Sequence, residues 1–149
     1  PSMFLGYTDW QETMKAVDGN GYFHTGDLVR AGPEGSIVVS GRLKDLIIRG
    51  GENLSAKEIE DVLSLHPAIQ DAAVVSMPDP RLGEGVCAFL VLQADCPAPS
   101  VGELSQFVRQ QGLAPQKAPA RIEVISKFPM TASGKIQKNV LRERIREII

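Results

Sequence analysis

Leu46-Ile47-Ile48 runs into Gly50-Gly51 and then into a capped, one-faced helix, and this succession constrains the fold more than any other stretch of the chain. The branched apolar triplet favours extended backbone, and paired glycines permit the φ > 0 turn that follows. Ser55 stands as an N-cap with Glu58 three residues on, a capping-box spacing. Ile59, Val62, Leu63 and Leu65 then give one apolar face, and Pro67 stops the helix. Glu58 and Glu60 read as helix-surface and capping residues.

The same alternation continues downstream. Residues 72–77 and 85–93 predict strands on either side of Pro78-Asp79-Pro80-Arg81-Leu82-Gly83. Ala98-Pro99-Ser100 introduces a second helix with Leu104, Phe107 and Val108 on one side. After an irregular, proline-containing segment over 114–120, residues 121–126 predict a strand and 140–149 a closing helix. From Leu46 the order is strand, helix, strand, strand, helix, strand, helix. That order predicts an α/β (α+β) domain with a three-stranded sheet flanked by helices. Upstream, 27–31 and 36–40 predict a hairpin joined through Gly32-Pro33-Glu34-Gly35. Gly41 interrupts it, and the charged Arg42-Leu43-Lys44-Asp45 marks a boundary. Residues 1–18 show no clear period, and Asp18-Gly19-Asn20-Gly21 is a turn cluster.

A chain of 149 residues makes one domain, or one with an attached subdomain. A net charge of −2 excludes the basic excess of a nucleic-acid-binding module. Aromatic residues are few and do not interleave with basic ones, which argues against base stacking as well. Cys87 and Cys96 fit no metal or CxxC spacing, and Cys87 sits in the apolar run 86–92, where it reads as a buried thiol. Nothing in the cysteine usage points to an oxidising compartment. His24 and His66 have no partner pattern, so no metal site is expected. No signal peptide and no bilayer-spanning apolar run is present, so a cytoplasmic protein is the expectation.

Four positions hold residues suited to chemistry. Lys135 follows Gly134 on the small-residue turn Pro129-Met130-Thr131-Ala132-Ser133-Gly134. It reads either as a solvated turn lysine or as an ammonium delivered to developing negative charge. It is not a GxxxxGK[ST] loop, because Pro129 and Ile136 stand where that pattern needs glycine and Ser or Thr. Asp27, after Thr25-Gly26, reads as a carboxylate for ribose hydroxyls or as a turn aspartate capping its own backbone. Arg42 reads as a second ribose or phosphate contact or as a surface arginine paired with Asp45 or Glu34. Gly50-Gly51 reads as a loop that lets a ligand approach the backbone or as a plain turn.

Taken in order, these pieces resemble the adenylate-forming (AMP-dependent) superfamily of acyl-CoA synthetases, peptide-synthetase adenylation domains and luciferases. Tyr22-Phe23-His24-Thr25-Gly26-Asp27 resembles its ribose-binding motif, and the stretch from Gly41 to Asn53 its hinge and glycine-loop motif. Residues 129–136 resemble its catalytic-lysine motif, and Met3-Phe4-Leu5-Gly6-Tyr7 extends the likeness toward the start. The resemblance implies that residues 1–43 are the tail of a large N-terminal domain and 44–149 a mobile, AMP-binding C-terminal lid. It implies Lys135 as the catalytic residue, Asp27 and Arg42 on the ribose, Lys44 as the hinge, and Gly50 and Gly51 lining a thiol channel. ATP, CoA and a small carboxylic acid are the implied ligands. Mg2+ is implied as a cofactor whose ligands, like the acid pocket and phosphate loop, belong to the large domain. The chain, which does not open on Met, is therefore expected to be a piece of a longer enzyme and inactive alone.

The leading expectation is the C-terminal part of an acyl-CoA ligase that activates a fatty or aromatic acid. An aryl- or amino-acid-adenylating enzyme loading a carrier-protein phosphopantetheine is the alternative, and a non-catalytic interaction module is a third.

Overall fold

The computed structural model describes residues 4–149. Met3, where the family likeness begins, lies outside the described residues, as does the start of the 1–43 segment. The chain separates into two compact units, one ending at Lys44 and the other running from Asp45 to Ile149.

The first unit contains a short helix, α1 (Trp10–Ala16), and the hairpin β1 (Asp27–Ala31) with β2 (Ile37–Arg42). Asp9 caps α1, its Oδ1 accepting from the Gln11 amide at 2.8 Å. No periodicity announces this helix because its buried residue is a threonine, while Trp10 and Met14 are exposed. Thr13 Oγ1 accepts from the Tyr7 amide at 2.8 Å, which satisfies a hydroxyl that burial would otherwise strand. Phe4, Tyr7 and Phe23 stack nearby, with ring centroids 4.5 Å apart for Phe4 and Phe23 and 4.9 Å for Phe4 and Tyr7. The hairpin forms as predicted, antiparallel from Asp27 opposite Arg42 to Ala31 opposite Ile37. Gly41 does not interrupt it. It is buried within β2 and pairs with Leu28 beside a register shift, and its φ of +157° suits a residue without Cβ.

The second unit has the predicted mixed α/β architecture. Its middle is the long antiparallel hairpin β5 (Ile69–Asp79) with β6 (Gly83–Leu92), and β7 (Arg121–Val124) lies parallel to β6. These are three of the four strands the sequence predicts. The fourth, at Leu46-Ile47-Ile48, also joins together with one unpredicted strand, so the sheet has five strands rather than the expected three. β3 (Leu46–Arg49) joins β6 through Arg49 opposite Gly83, and β4 (Glu52–Ser55) pairs with β3, giving five strands in the order β4-β3-β6-β5 with β7 on β6. Three helices complete the unit: α2 (Ala56–Leu63), α3 (Val101–Gln110) and α4 (Lys138–Ile148).

Pleating decides which helix goes where. Successive side chains of a strand point to opposite faces. Val74, Val86, Ala88 and Leu90 bury one face beside Ile59, Leu63, Leu104 and Val108 of α2 and α3. Ala73, Val75, Cys87 and Phe89 bury the other beside Leu141 and Ile145 of α4, with Ile125 and Phe128. A sheet covered on both sides needs unbroken apolar runs, which is what 72–75 and 86–92 supply. Helix starts are chemically explicit. Ser100 and Glu103 form a reciprocal capping box on α3, and Ser55 Oγ accepts from the Glu58 amide on α2 at 3.4 Å. Leu65, expected on the apolar face of α2, is exposed, because the helix ends at Leu63 with Ser64 as its cap. Burial pushes the Cys87 thiol up to about 12.

Truncating Leu141 to Ala should cost about 2–5 kcal/mol in urea unfolding, while Leu65→Ala should stay within about 0.5 kcal/mol. At about pH 9, iodoacetamide should label the partly exposed Cys96 and spare Cys87, with mass spectrometry counting one adduct.

Candidate functional site

In the first unit the hairpin brings Asp27 and Arg42 together as cross-strand neighbours. Arg42 Nε lies 3.1 Å from Asp27 Oδ1, with the side chains half and about a quarter exposed. Arg42 thus pairs with Asp27, not with Asp45 or Glu34. The carboxylate is held at the strand entrance, where the Asp27 amide donates to Thr25 Oγ1 at 3.1 Å and Gly26 turns with φ +72°. Gly26 O accepts from the Leu43 amide at 2.8 Å and closes the open end of the hairpin. A partly exposed carboxylate braced by a guanidinium keeps acceptor capacity for a pair of hydroxyls.

In the second unit Lys135 stands on a tight hairpin-like loop. Met130 and Ile136 form a β-bridge, the Thr131 amide donates to Lys135 O at 2.8 Å, and the Lys135 amide donates to Thr131 Oγ1 at 3.0 Å. Gly134 supplies the turn at φ +78°. The Gln137 amide donates to Pro129 O at 2.8 Å, closing the loop at its base. The backbone of Lys135 is therefore fixed on both sides, while its side chain is exposed and, among the described residues, no carboxylate is ion-paired with it. A fixed backbone with an unengaged ammonium suits delivery of charge to an anionic ligand.

Gly50 and Gly51 form the two-residue turn of the β3–β4 hairpin, at φ +58° and +85°. Both central residues at positive φ make a type I′ turn, which demands glycine whatever the loop's further role. The sequence placed this turn directly before a helix; a further strand, β4, intervenes. Neighbours hold the turn in place. The Gly50 amide donates to Leu82 O at 2.8 Å, Arg49 donates to Gln116 O, and Gln116 Nε2 donates to Glu52 at 2.8 Å. Lys117 pairs with Glu58 at 2.6 Å. Arg49 Nε is buried without a partner.

One cluster escaped the sequence reading. Lys138, the first residue of α4, lies 2.6 Å from Glu60 Oε1 and 3.9 Å from Asp45 Oδ2, and Arg142 donates to Asp45. Glu60 Oε1 also accepts from the Val74 amide at 2.6 Å. Glu60 is not a surface residue. Burial raises its carboxyl above the ordinary range, and Lys138 opposes the shift. Its partner lies too far along the chain to be found by spacing. Its inward lean was legible, since it stands four residues after Ala56 and three before Leu63, both buried.

Lys44 is the last residue of the first unit and Asp45 the first of the second. Among the described residues, no group of three or more His, Cys, Asp or Glu side chains is arranged to hold a metal, and no helix is long and apolar enough to cross a membrane.

The second unit thus carries a lysine loop and a glycine turn, and the first a hairpin with an Asp–Arg pair. The family described as AMP-binding enzyme C-terminal domain matches residues 58–135, just over half of the chain. The medium-chain fatty-acid–CoA ligase of Escherichia coli K12 is 48% identical over 146 residues, covering 97% of this chain and 26% of that protein. The 2,3-dihydroxybenzoate-AMP ligase of Bacillus subtilis strain 168 is 49% identical over 128 residues, 86% of this chain and 23% of that protein. ATP-bound MatB from Rhodopseudomonas palustris superposes with a TM-score of 0.87 at 34% identity, over 97% of this chain and 29% of its own. The chain belongs to this family, as a C-terminal part of an adenylate-forming ligase. It spans about a quarter of the length of the curated relatives it matches.

Replacing Gly51 by Ala should cost about 1–2 kcal/mol, because its neighbourhood offers space but its φ does not suit an L side chain. Urea unfolding of the two forms measures the difference.

Proposed function

We propose that this chain is the C-terminal part of an ATP-dependent acyl-CoA ligase, with residues 1–43 ending the large domain and 44–149 forming the lid. The observation that carries this reading is Lys135, held on a closed loop with its ammonium unengaged, at the end of the family-matched segment. In the first half-reaction a substrate carboxylate attacks the α-phosphate of ATP. Pyrophosphate leaves, and a mixed acyl-adenylate anhydride forms. Lys135 bridges the carboxylate and phosphate oxygens, where negative charge concentrates as the new P–O bond forms. Asp27 accepts from the ribose hydroxyls, and Arg42 holds that carboxylate in place.

The lid then turns about Lys44, withdrawing Lys135 and bringing the Gly50-Gly51 turn to the adenylate. Absent side chains at that turn leave a narrow passage for a thiol beside the backbone. The thiol sulfur attacks the acyl carbonyl, a thioester forms, and AMP departs. Using one lid for both steps keeps water from the reactive anhydride. The ligands of Mg2+ are assigned to the large domain by the family likeness, and no step here runs through the ion.

Loading of a carrier-protein phosphopantetheine is the second reading. It is favoured by the near-equal likeness to a 2,3-dihydroxybenzoate-AMP ligase and to a CoA ligase. Both readings share the first half-reaction and differ in the thiol.

Pyrophosphate release by the full-length natural protein, across a panel of carboxylic acids, tests this. Lys135→Ala should lower it about 10²–10³-fold. Asp27→Ala should raise KM for ATP about 10–100-fold through the lost charged hydrogen bonds. AMP turnover that rises with free CoA supports the CoA ligase, and turnover that needs a carrier protein supports the second reading. No acid-dependent pyrophosphate release overturns both.

A further inference from the structure

Lys135 is three residues upstream of Lys138, and the two ends of its loop are anchored by different physics. Upstream, Ile125 and Phe128 are buried in the α4-side core. Downstream, Ile136 packs only partly against that core, the Gln137 amide closes the loop's base on Pro129 O, and the next side-chain attachment is ionic. Lys138 Nζ sits between two carboxylates, at 2.6 Å from Glu60 and 3.9 Å from Asp45, and Asp45 is also held by Arg142. Lys138 and Arg142 are four residues apart, so they share one helical face, and Leu141 and Ile145 bury the adjoining one. All four charged side chains are 16–21% exposed, so their attraction is weakly screened, and the two cations balance the two anions.

Glu60 is the centre of this arrangement. Its Oε1 takes the Val74 amide of the edge strand β5 while binding Lys138. A helix on one face of the sheet thereby grips, across the sheet's edge, a helix on the other. Asp45, the first residue of the unit, joins the same knot. No cofactor or substrate role is needed to explain these contacts, yet they meet at the base of the one loop that presents Lys135.

We propose that the Glu60–Lys138–Asp45 clamp is a positioning device. It fixes the downstream end of the Lys135 loop and ties it to the residue after Lys44, so that the loop moves as one body with the lid. This rests on the assignment of Lys135 to the adenylation step. The clamp touches no reacting atom. Losing it lets the loop wander, and the penalty falls on the half-reaction that needs the ammonium in place.

The test uses the full-length natural protein and separates the half-reactions. Lys138→Met keeps length and apolar stem but removes the charge. It should lower kcat for acid-dependent pyrophosphate release about 10–100-fold, since small misplacements of a charge-stabilising group are that costly. KM for ATP and acid, and thioester formation from preformed acyl-adenylate, should change by less than about threefold. Lys138→Arg should restore kcat, because a guanidinium can span both carboxylates. Hydrogen exchange at the Lys135 and Gln137 amides should quicken about tenfold in Lys138→Met while β5 and β6 amides keep their rates.

An equal fall in both half-reactions, or unchanged exchange at Lys135 and Gln137, would overturn the clamp. If Lys138→Met does not fold, Glu60→Gln takes its place, retaining an acceptor for Val74 while removing the negative charge. Lys135→Ala is run alongside. If that variant leaves pyrophosphate release intact, the assignment of Lys135 fails, and the amide exchange still decides whether the clamp holds the loop.

Discussion

Because β5 and β6 are buried on both faces, the helices of the second unit are placed by the face of that hairpin they cover. Each strand alternates its side chains between two cores, so neither face can be left to water without exposing a row of valine, alanine, leucine or phenylalanine. Helices α2 and α3 answer one row and α4 the other. β7 fills the remaining side of β6, and β3 joins β6 at Arg49 opposite Gly83, with Ile47 and Leu54 of the β3–β4 hairpin buried in the core shared with α2 and α3.

That placement separates rigidity from reach. The Lys135 loop closes on itself through backbone and threonine hydrogen bonds, and the glycine turn is pinned by Leu82, Gln116 and Glu52. Neither loop relies on deep burial of its functional residues. In the roles proposed for them, the ammonium must stay without a permanent carboxylate partner and the turn without side chains. The partly buried charges serve the opposite end: Glu60, Lys138, Asp45 and Arg142 satisfy one another where apolar packing alone would leave the strand-edge amide of Val74 unpaired.

Much of this was legible in the residues themselves. The Asp27–Ala31 hairpin, the capped start of α2, the α3 face of Leu104 and Val108, and the closing helix follow from local propensity and periodicity, which tertiary contacts here reinforce. α1 was not legible because its burial is carried by Thr13 and its apolar residues face outward. β4 was hidden because Asn53-Leu54-Ser55 is too short to show a period, and its strand character comes from pairing with β3. Gly41 reads as a break in one dimension and is a buried strand residue in three, since the register shift in β1 demands it.

The sequence by itself determined the class of fold, the order of most elements and the residue types suited to chemistry. Those depend on side-chain period, turn preference and the chemistry of single groups. Only the tertiary structure decided that Asp27 and Arg42 face each other across a hairpin, that Gly50 and Gly51 close one strand onto another, and that Glu60 leaves the surface to meet Lys138. The first two are settled by the register of neighbouring strands, while Glu60 and Lys138 are far apart in the chain and no local energy selects their pairing. It is selected when burying both faces of the β5–β6 hairpin brings α2 and α4 to one sheet edge.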